Sequence, residues 1–142
     1  MDKTSPPGVI SFTVYGNPKS KRISEAFFNP KTKKMSKFSP KSSKDWEQLI
    51  RSQAQQYRVF DSPWDCAVEM ELVFSMPKPK SCPKTRLFPV TKPDLDKLCR
   101  AVFDGVTGIL VSDDSRIIQC TAWKQYSDAP SVDITIQKMV EE

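Results

Sequence analysis

Four aspartates stand at the two ends of one helix-sized segment, KPDLDKLCRAVFDGVTGILVSDD, which runs from Lys92 to Asp114. Asp94 and Asp96 lie one residue apart at its start, and Asp113 and Asp114 are adjacent at its end. Carboxylates placed in this way either cap helices and turns or hold a hard cation. The chain has no histidine. That removes Ser-His-Asp and Cys-His nucleophiles, HNH-type nucleases, HExxH zinc sites and zinc deaminases in their usual forms. Hydrolysis here has to run on carboxylates, Lys or Arg, hydroxyls and a metal. Cys66, Cys82, Cys99 and Cys120 are widely spaced without a CxxC, which argues against a zinc site. They are expected to be reduced thiols in a cytoplasmic protein, with Cys99 and Cys120 in core patterns.

The residues between the aspartate pairs must position them. Leu95, Leu98, Cys99, Val102, Phe103 and Val106 recur at helical spacing and form one apolar stripe, at about 100° per residue. Asp96, Arg100 and Asp104 form a row beside it. Thr107-Gly108 ends the helix, with glycine suited to a left-handed cap. Inside a regular helix Asp94 and Asp96 would point roughly 160° apart and could not share an ion. Pro93 biases Lys92 toward extended geometry, so the chain is expected to be still extended on entry. If Asp94 sits at the cap or just before it, the two carboxylates can converge, where the helix N-terminus favours negative charge. Capping is the competing reading for this pair, and a turn or cap for Asp113 and Asp114, with Arg116 pairing locally to either acid. Whether that turn lies beside the helix start is a matter for the fold.

Around this segment the chain alternates elements and breakers. Residues 1–8 are expected to be a loose tail. Val9–Tyr15 is a strand stopped by GNPKS, and Lys19–Lys44 is the most basic stretch, with Glu25 its one acid. NPKTKKM within it has the look of a loop or hairpin turn. This stretch is either a solvated loop or a phosphate-tracking arm with Phe27, Phe28 and Phe38 as anchors. Ser39-Pro40 starts a helix running to about Tyr57, with Trp46, Leu49, Ile50, Gln53 and Ala54 on one side. Residues 67–76 alternate as a half-buried strand: Val68, Met70, Leu72, Phe74 and Met76 face one way, Glu69 and Glu71 the other, toward solvent. Residues 77–92 form a basic, proline-rich loop without an acid. Residues 117–125 and 131–139 are two closing strands around an Asp128-Ala-Pro130 turn.

The order β-α-β-α-β-β predicts an α+β fold: about four strands in a mixed or antiparallel sheet with two main helices, in one domain spanning residues 1–142. The chain carries 22 Lys plus Arg against 17 Asp plus Glu, a net charge of +5, which suits an anionic partner. No apolar run has the length of a membrane span, and MDKTSPPG is not a signal peptide.

If three of the carboxylates meet, a hard divalent cation relieves their repulsion, and without histidine or a cysteine cluster Mg²⁺ or Mn²⁺ is the supported class. Such an ion beside basic loops matches phosphodiester hydrolysis. Arg100, about one turn after Asp96, could contact the scissile phosphate or steady a metal-bound carboxylate; its plain alternative is an intrahelical ion pair.

Taken together, these residues resemble the signature region of the RusA-type Holliday junction resolvases, small endonucleases common in phages and prophages. The family pattern is Asp-x-Asp-Asn at a helix start, a basic residue four positions on, a later Asp and then a paired Asp-Asp. Asp94, Asp96, Arg100, Asp104, Asp113 and Asp114 stand at the matching positions. The resemblance implies a homodimeric, Mg²⁺-dependent endonuclease that resolves four-way DNA junctions by paired nicks. It assigns Asp94, Asp96 and Asp114 to the catalytic metal site and gives Asp113 and Asp104 supporting places. Two positions depart from the pattern. Lys97 replaces the usual Asn, and Arg100 replaces a catalytic lysine. Arginine retains an electrostatic role but is a poor proton donor. Lys97 could take over part of that function, although its helical direction is expected to point it elsewhere. Lys19, Lys21, Arg22, Lys31, Lys33, Lys34, Lys78, Lys80 and Lys84 are the expected DNA contacts. The other readings are a nuclease for flaps or other branched DNA, a non-catalytic DNA-binding protein, and a PD-(D/E)xK-like nuclease, which lacks a good Glu-x-Lys element.

Overall fold

Alternating β-branched and aromatic residues, punctuated by proline and glycine, give the strands, and the two apolar stripes give the helices. In the computed structural model residues 8–20, 25–29, 34–38, 41–58 and 63–139 are described. The elements are β1 (Val9–Tyr15), β2 (Glu25–Asn29), β3 (Lys34–Phe38), α1 (Lys41–Tyr57), β4 (Val68–Met76), α2 (Leu95–Val106), β5 (Ile117–Tyr126) and β6 (Ser131–Lys138). The main sheet has four strands in the order β1-β6-β4-β5, and β2 and β3 form a separate two-stranded antiparallel sheet. This is the expected mixed α+β arrangement. β2 ends at Asn29 and β3 begins at Lys34, so part of the basic stretch is strand rather than loop; residues 30–33 of NPKTKKM lie outside the described residues. The expected tail (except Gly8) and the Ser39-Pro40 start of α1 lie outside the described residues.

β4 is central: it pairs with β6 antiparallel and with β5 parallel. A parallel neighbour requires a crossover, and α2 supplies it. Val68, Met70, Leu72 and Phe74 are buried on one face of β4 and meet Ile134 and Ile136 of β6 and Phe12 and Val14 of β1 in the core. The other face is polar: Glu71 is exposed, and Ser11 and Thr13 hydrogen-bond Thr135 and Asp133 across the strand pair.

α2 buries Leu98, Ala101, Val102, Gly105 and Val106, while Leu95, Cys99 and Phe103 are only partly covered. The buried arc is therefore rotated from the apolar stripe toward Ala101 and Gly105. The cause is packing on two sides, by the sheet and by α1. A Cβ on Gly105 would stand 2.6 Å from Ile50 Cγ2 and 2.9 Å from Ile50 Cβ. A glycine inside a helix costs about 1 kcal/mol in helix propensity, and here it permits the close approach of α1. Arg51 of α1 also donates to the carbonyls of Asp104 (2.8 Å) and Thr107 (3.2 Å), capping the end of α2. Gly108 follows with φ +84°, the left-handed residue expected there.

β5 is an edge strand, and this corrects one expectation. Cys120 lies opposite Met70, on the helix face, yet it is exposed, because no strand covers that edge among the described residues. All four cysteines are free. No helix among the described residues is long and apolar enough to cross a membrane.

Candidate active site

The entry to α2 is built as its local sequence dictates. Asp94 is the N-cap residue, with the extended backbone usual for that position, at φ −72° and ψ 142°. Its main-chain carbonyl accepts from Leu98 N at 3.0 Å, but its side chain makes no capping hydrogen bond. The carboxylate faces two ammonium groups instead. Lys92 Nζ donates to Oδ1 at 2.8 Å and to Oδ2 at 3.0 Å, and Lys97 Nζ lies 3.5 Å from Oδ2. The Lys92 hydrogen bond, reinforced by the charges of Lys92 and Lys97, holds the Asp94 carboxyl below the usual range. Asp96 is exposed in the first turn of the helix, and Arg100 is exposed one turn on.

The position of Lys97 corrects the expectation that it points away. Helix side chains tilt toward the N-terminus, so the third helical residue overlies the N-cap. Lys97 occupies that place. Lys92 was missed among the site residues, although a basic residue two before Asp94 was visible in the chain.

A third lysine holds this entry from the sheet. Lys124 Nζ, on the helix face of β5, donates to the carbonyls of Thr91 and Pro93, both at 2.9 Å. Next to it, Tyr126 anchors the proline-rich loop. Its ring lies 5.6 Å from Lys78 Nζ, and its hydroxyl is 3.7 Å from Cys82 Sγ. Deeper along α2, Cys99 and Cys120 act on each other between helix and strand: the Cys120 thiol, and then burial, push the Cys99 thiol up, and Cys99 holds Cys120 down.

The other aspartate pair is organised differently. Residues 109–111 are buried, and Trp64 N and Ser112 N tie this segment to the connector before β4. Asp113 is the N-cap of a single 3-10 turn, Asp114–Arg116, and its Oδ2 accepts from Ser115 N at 3.0 Å. The Ser115 hydroxyl, and after it this Ser115 N–H bond, hold the Asp113 carboxyl below its usual range. Arg116 pairs with neither of its neighbouring acids. Its guanidinium is 2.8 Å from Asp65 Oδ1, which also accepts from Ser112 Oγ at 2.6 Å. Asp65 was missed as well, since it lies far away in sequence and carries no motif.

The crossover separates the two pairs. β5 runs back along α2, from the end near Val106 to the end where Lys124 meets Pro93. The 12 residues of α2 span about 18 Å, so Asp94 and Asp96 sit at one end and Asp113 and Asp114 at the other. Among the described residues no three His, Cys, Asp or Glu side chains are grouped so as to hold one metal ion. Two carboxylates at the α2 entry remain a donor set compatible with Mg²⁺, which keeps several waters and takes one or two protein carboxylates.

Of the expected DNA contacts, Lys78, Lys80 and Lys84 are exposed on the proline-rich loop and Lys19 is half-buried beside it. Lys34 opens β3. Lys21, Arg22, Lys31 and Lys33 lie outside the described residues. Asp104 is half-buried near the end of α2, away from the entry.

A carboxylate-bearing helix entry, basic loops around it and a mixed sheet behind it define a class, and comparison with known proteins specifies it. The family model for the RusA endodeoxyribonucleases matches residues 17–137. The chain belongs to this family of junction-resolving DNA nucleases. It is also similar to the uncharacterized protein YqaN of Bacillus subtilis strain 168, at 28% identity over 141 residues, covering 92% of this chain and 96% of that one.

Proposed function

We propose that the protein is a divalent-cation-dependent endonuclease that resolves four-way junctions by paired symmetric cuts as a homodimer, acting on DNA in the cytoplasm. The observation that carries this reading is Asp94. It occupies a helix cap without capping, so its carboxylate is left to ammonium groups and cations. Asp94 and Asp96 would hold Mg²⁺ or Mn²⁺, which supplies polarisation of a phosphate oxygen and a water of lowered pKa. Lys97 and Arg100 supply positive charge toward the phosphate.

The separation of the two aspartate pairs supports the dimer. Within one chain Asp114 is a helix length away from Asp94. β5 is an edge strand carrying exposed Ile118 (62%) and Trp123 (41%). Two such edges related by a two-fold axis run antiparallel. The Asp113–Asp114 end of one chain then lies toward the Asp94–Asp96 end of its neighbour, and the partner's Asp114 completes the carboxylate set. Two composite sites follow from one symmetry axis, as two symmetric cuts require.

Mixing two inactive variants tests this. Asp94→Asn and Asp114→Asn are each expected to abolish cutting of a four-way junction with Mg²⁺. Co-refolded together, they form heterodimers with one intact composite site, and these nick one strand. No recovered nicking, with heterodimers shown by mass spectrometry, rejects the shared site. Full activity of Asp94→Asn alone rejects the metal-site reading altogether.

A further inference from the structure

Beside the entry to α2 lies a pocket of about 230 Å³ that the nuclease reading has not used. Three segments far apart in sequence build it: the turn after β1, both ends of the proline-rich loop, and the end of β5. Five prolines, Pro18, Pro77, Pro79, Pro89 and Pro93, line it together with Tyr126. Pro18 and Pro89 are buried, and the contacts of Tyr126 with Lys78 and Cys82 hold its ring in place. Proline carries no N–H, so these walls offer flat apolar surface with few donors.

The charged part of the lining is all of one sign. Lys19, Lys92 and Lys124 line the pocket, and no Asp or Glu does so among the described residues. Two of the three N–H donors of Lys124 are engaged on Thr91 and Pro93, which fixes its ammonium at the pocket. Lys92 reaches the pocket and the Asp94 carboxylate from one position in the chain. An apolar slot with three ammonium groups suits a ligand with a flat apolar body and a phosphate. The volume lies below the roughly 300–1,000 Å³ of ordinary small-molecule sites. That size suits a single flat base, with its sugar and phosphate at the rim, and not a base pair.

We infer that this pocket takes a single unpaired nucleotide of branched DNA, with its base against the proline wall and Tyr126 and its phosphate on Lys19, Lys92 and Lys124. This rests on the junction-resolving reading and gives it a means of telling a branch from a duplex. Unpairing costs least where stacking is already broken, as at the centre of a junction. A base held there places the adjoining phosphodiester beside Asp94, because Pro93 forms part of the wall and Asp94 follows it. Aromatic stacking of one base contributes about 1–3 kcal/mol and tolerates any sequence.

Photocrosslinking of the unaltered protein tests it. 5-Iododeoxyuridine is placed in turn at each branch-point position of a four-way junction and at the same positions in the matching duplex, with Ca²⁺ in place of Mg²⁺ to hold back cutting. One junction position is expected to crosslink to Tyr126 or to the segment 76–93, with no such crosslink in the duplex. Junction binding with crosslinks only elsewhere, or equally from the duplex, overturns the pocket and leaves the nuclease reading standing. Failure to bind the junction at all overturns both.

Discussion

Asp94 and Asp113 share a position at a helix start and put it to opposite uses. Each is an N-cap residue with extended backbone, and each leads a pair of acids. Asp113 spends its carboxylate on Ser115 N and holds a one-turn helix together. Asp94 leads a 12-residue helix and gives its carboxylate no capping bond, but places it between Lys92 and Lys97. The difference teaches that cap chemistry in a sequence marks where a helix begins but not what the side chain there is for. An Asp that caps has its oxygen satisfied by the backbone. An Asp that does not cap leaves its oxygens to side chains and cations, as Asp94 does with Lys92 and Lys97.

The largest expected effect separates the two pairs by activity. Asp94→Asn removes charge from the proposed reaction centre, and cleavage of a Mg²⁺-loaded junction substrate should fall by at least about 10²-fold, the scale for losing one preorganised electrostatic group. Junction binding measured by gel shift should persist or tighten, since repulsion of phosphate falls. Asp113→Asn should cut at a rate much closer to that of the parent. Equal losses in the two variants would erase the contrast.

Stability should invert that order. Asp113→Ala deletes a working cap, so the thermal midpoint should drop. Asp94→Ala deletes only exposed ion pairs and should lower the midpoint less. A larger drop for Asp94→Ala, measured by circular dichroism, would mean that the Lys92 and Lys97 contacts bind the fold together more than the cap at Asp113 does.

The smallest effect is a titration. The Asp94 carboxyl is depressed first by its hydrogen bond to Lys92. A depressed carboxyl stabilises the fold at pH values above its unfolded pKa, near 3.9, and that contribution is lost as the pH falls through the lower folded value. Lys92→Met should shift the Asp94 titration upward in carbon-13 NMR of the carboxyl groups, and should leave that of Asp113 where it is. An unmoved Asp94 curve would show that Lys92 does not hold it in solution.

Much of the architecture was legible because it rests on local periodicity. The alternation from Val68 to Met76 and the stripe of α2 placed two elements nearly to the residue, and Gly108 marked the end of the helix. The requirement that Asp94 sit at the helix entry rather than within it matches its extended N-cap backbone. Burial within α2 was less legible. Ala101 and Gly105 are small and carry little apolar signal, and only the approach of Ile50 explains them. Cys120 had the pattern of a core residue, but pattern gives the face of a strand and not whether an outer neighbour covers it.

By itself the sequence determined the chemistry available and the local shape: no histidine, carboxylates at a helix entry, basic loops, and the alternation of strands and helices. The tertiary structure alone decided how those parts meet. It set the aspartate pairs at opposite ends of α2, brought Lys124 to the carbonyl of Pro93, and gave Arg116 to Asp65 rather than to the acids beside it. The physical reason is the parallel pairing of β4 with β5. That long-range hydrogen-bonded ladder fixes the direction in which the chain returns along the helix, and no spacing between aspartates encodes it.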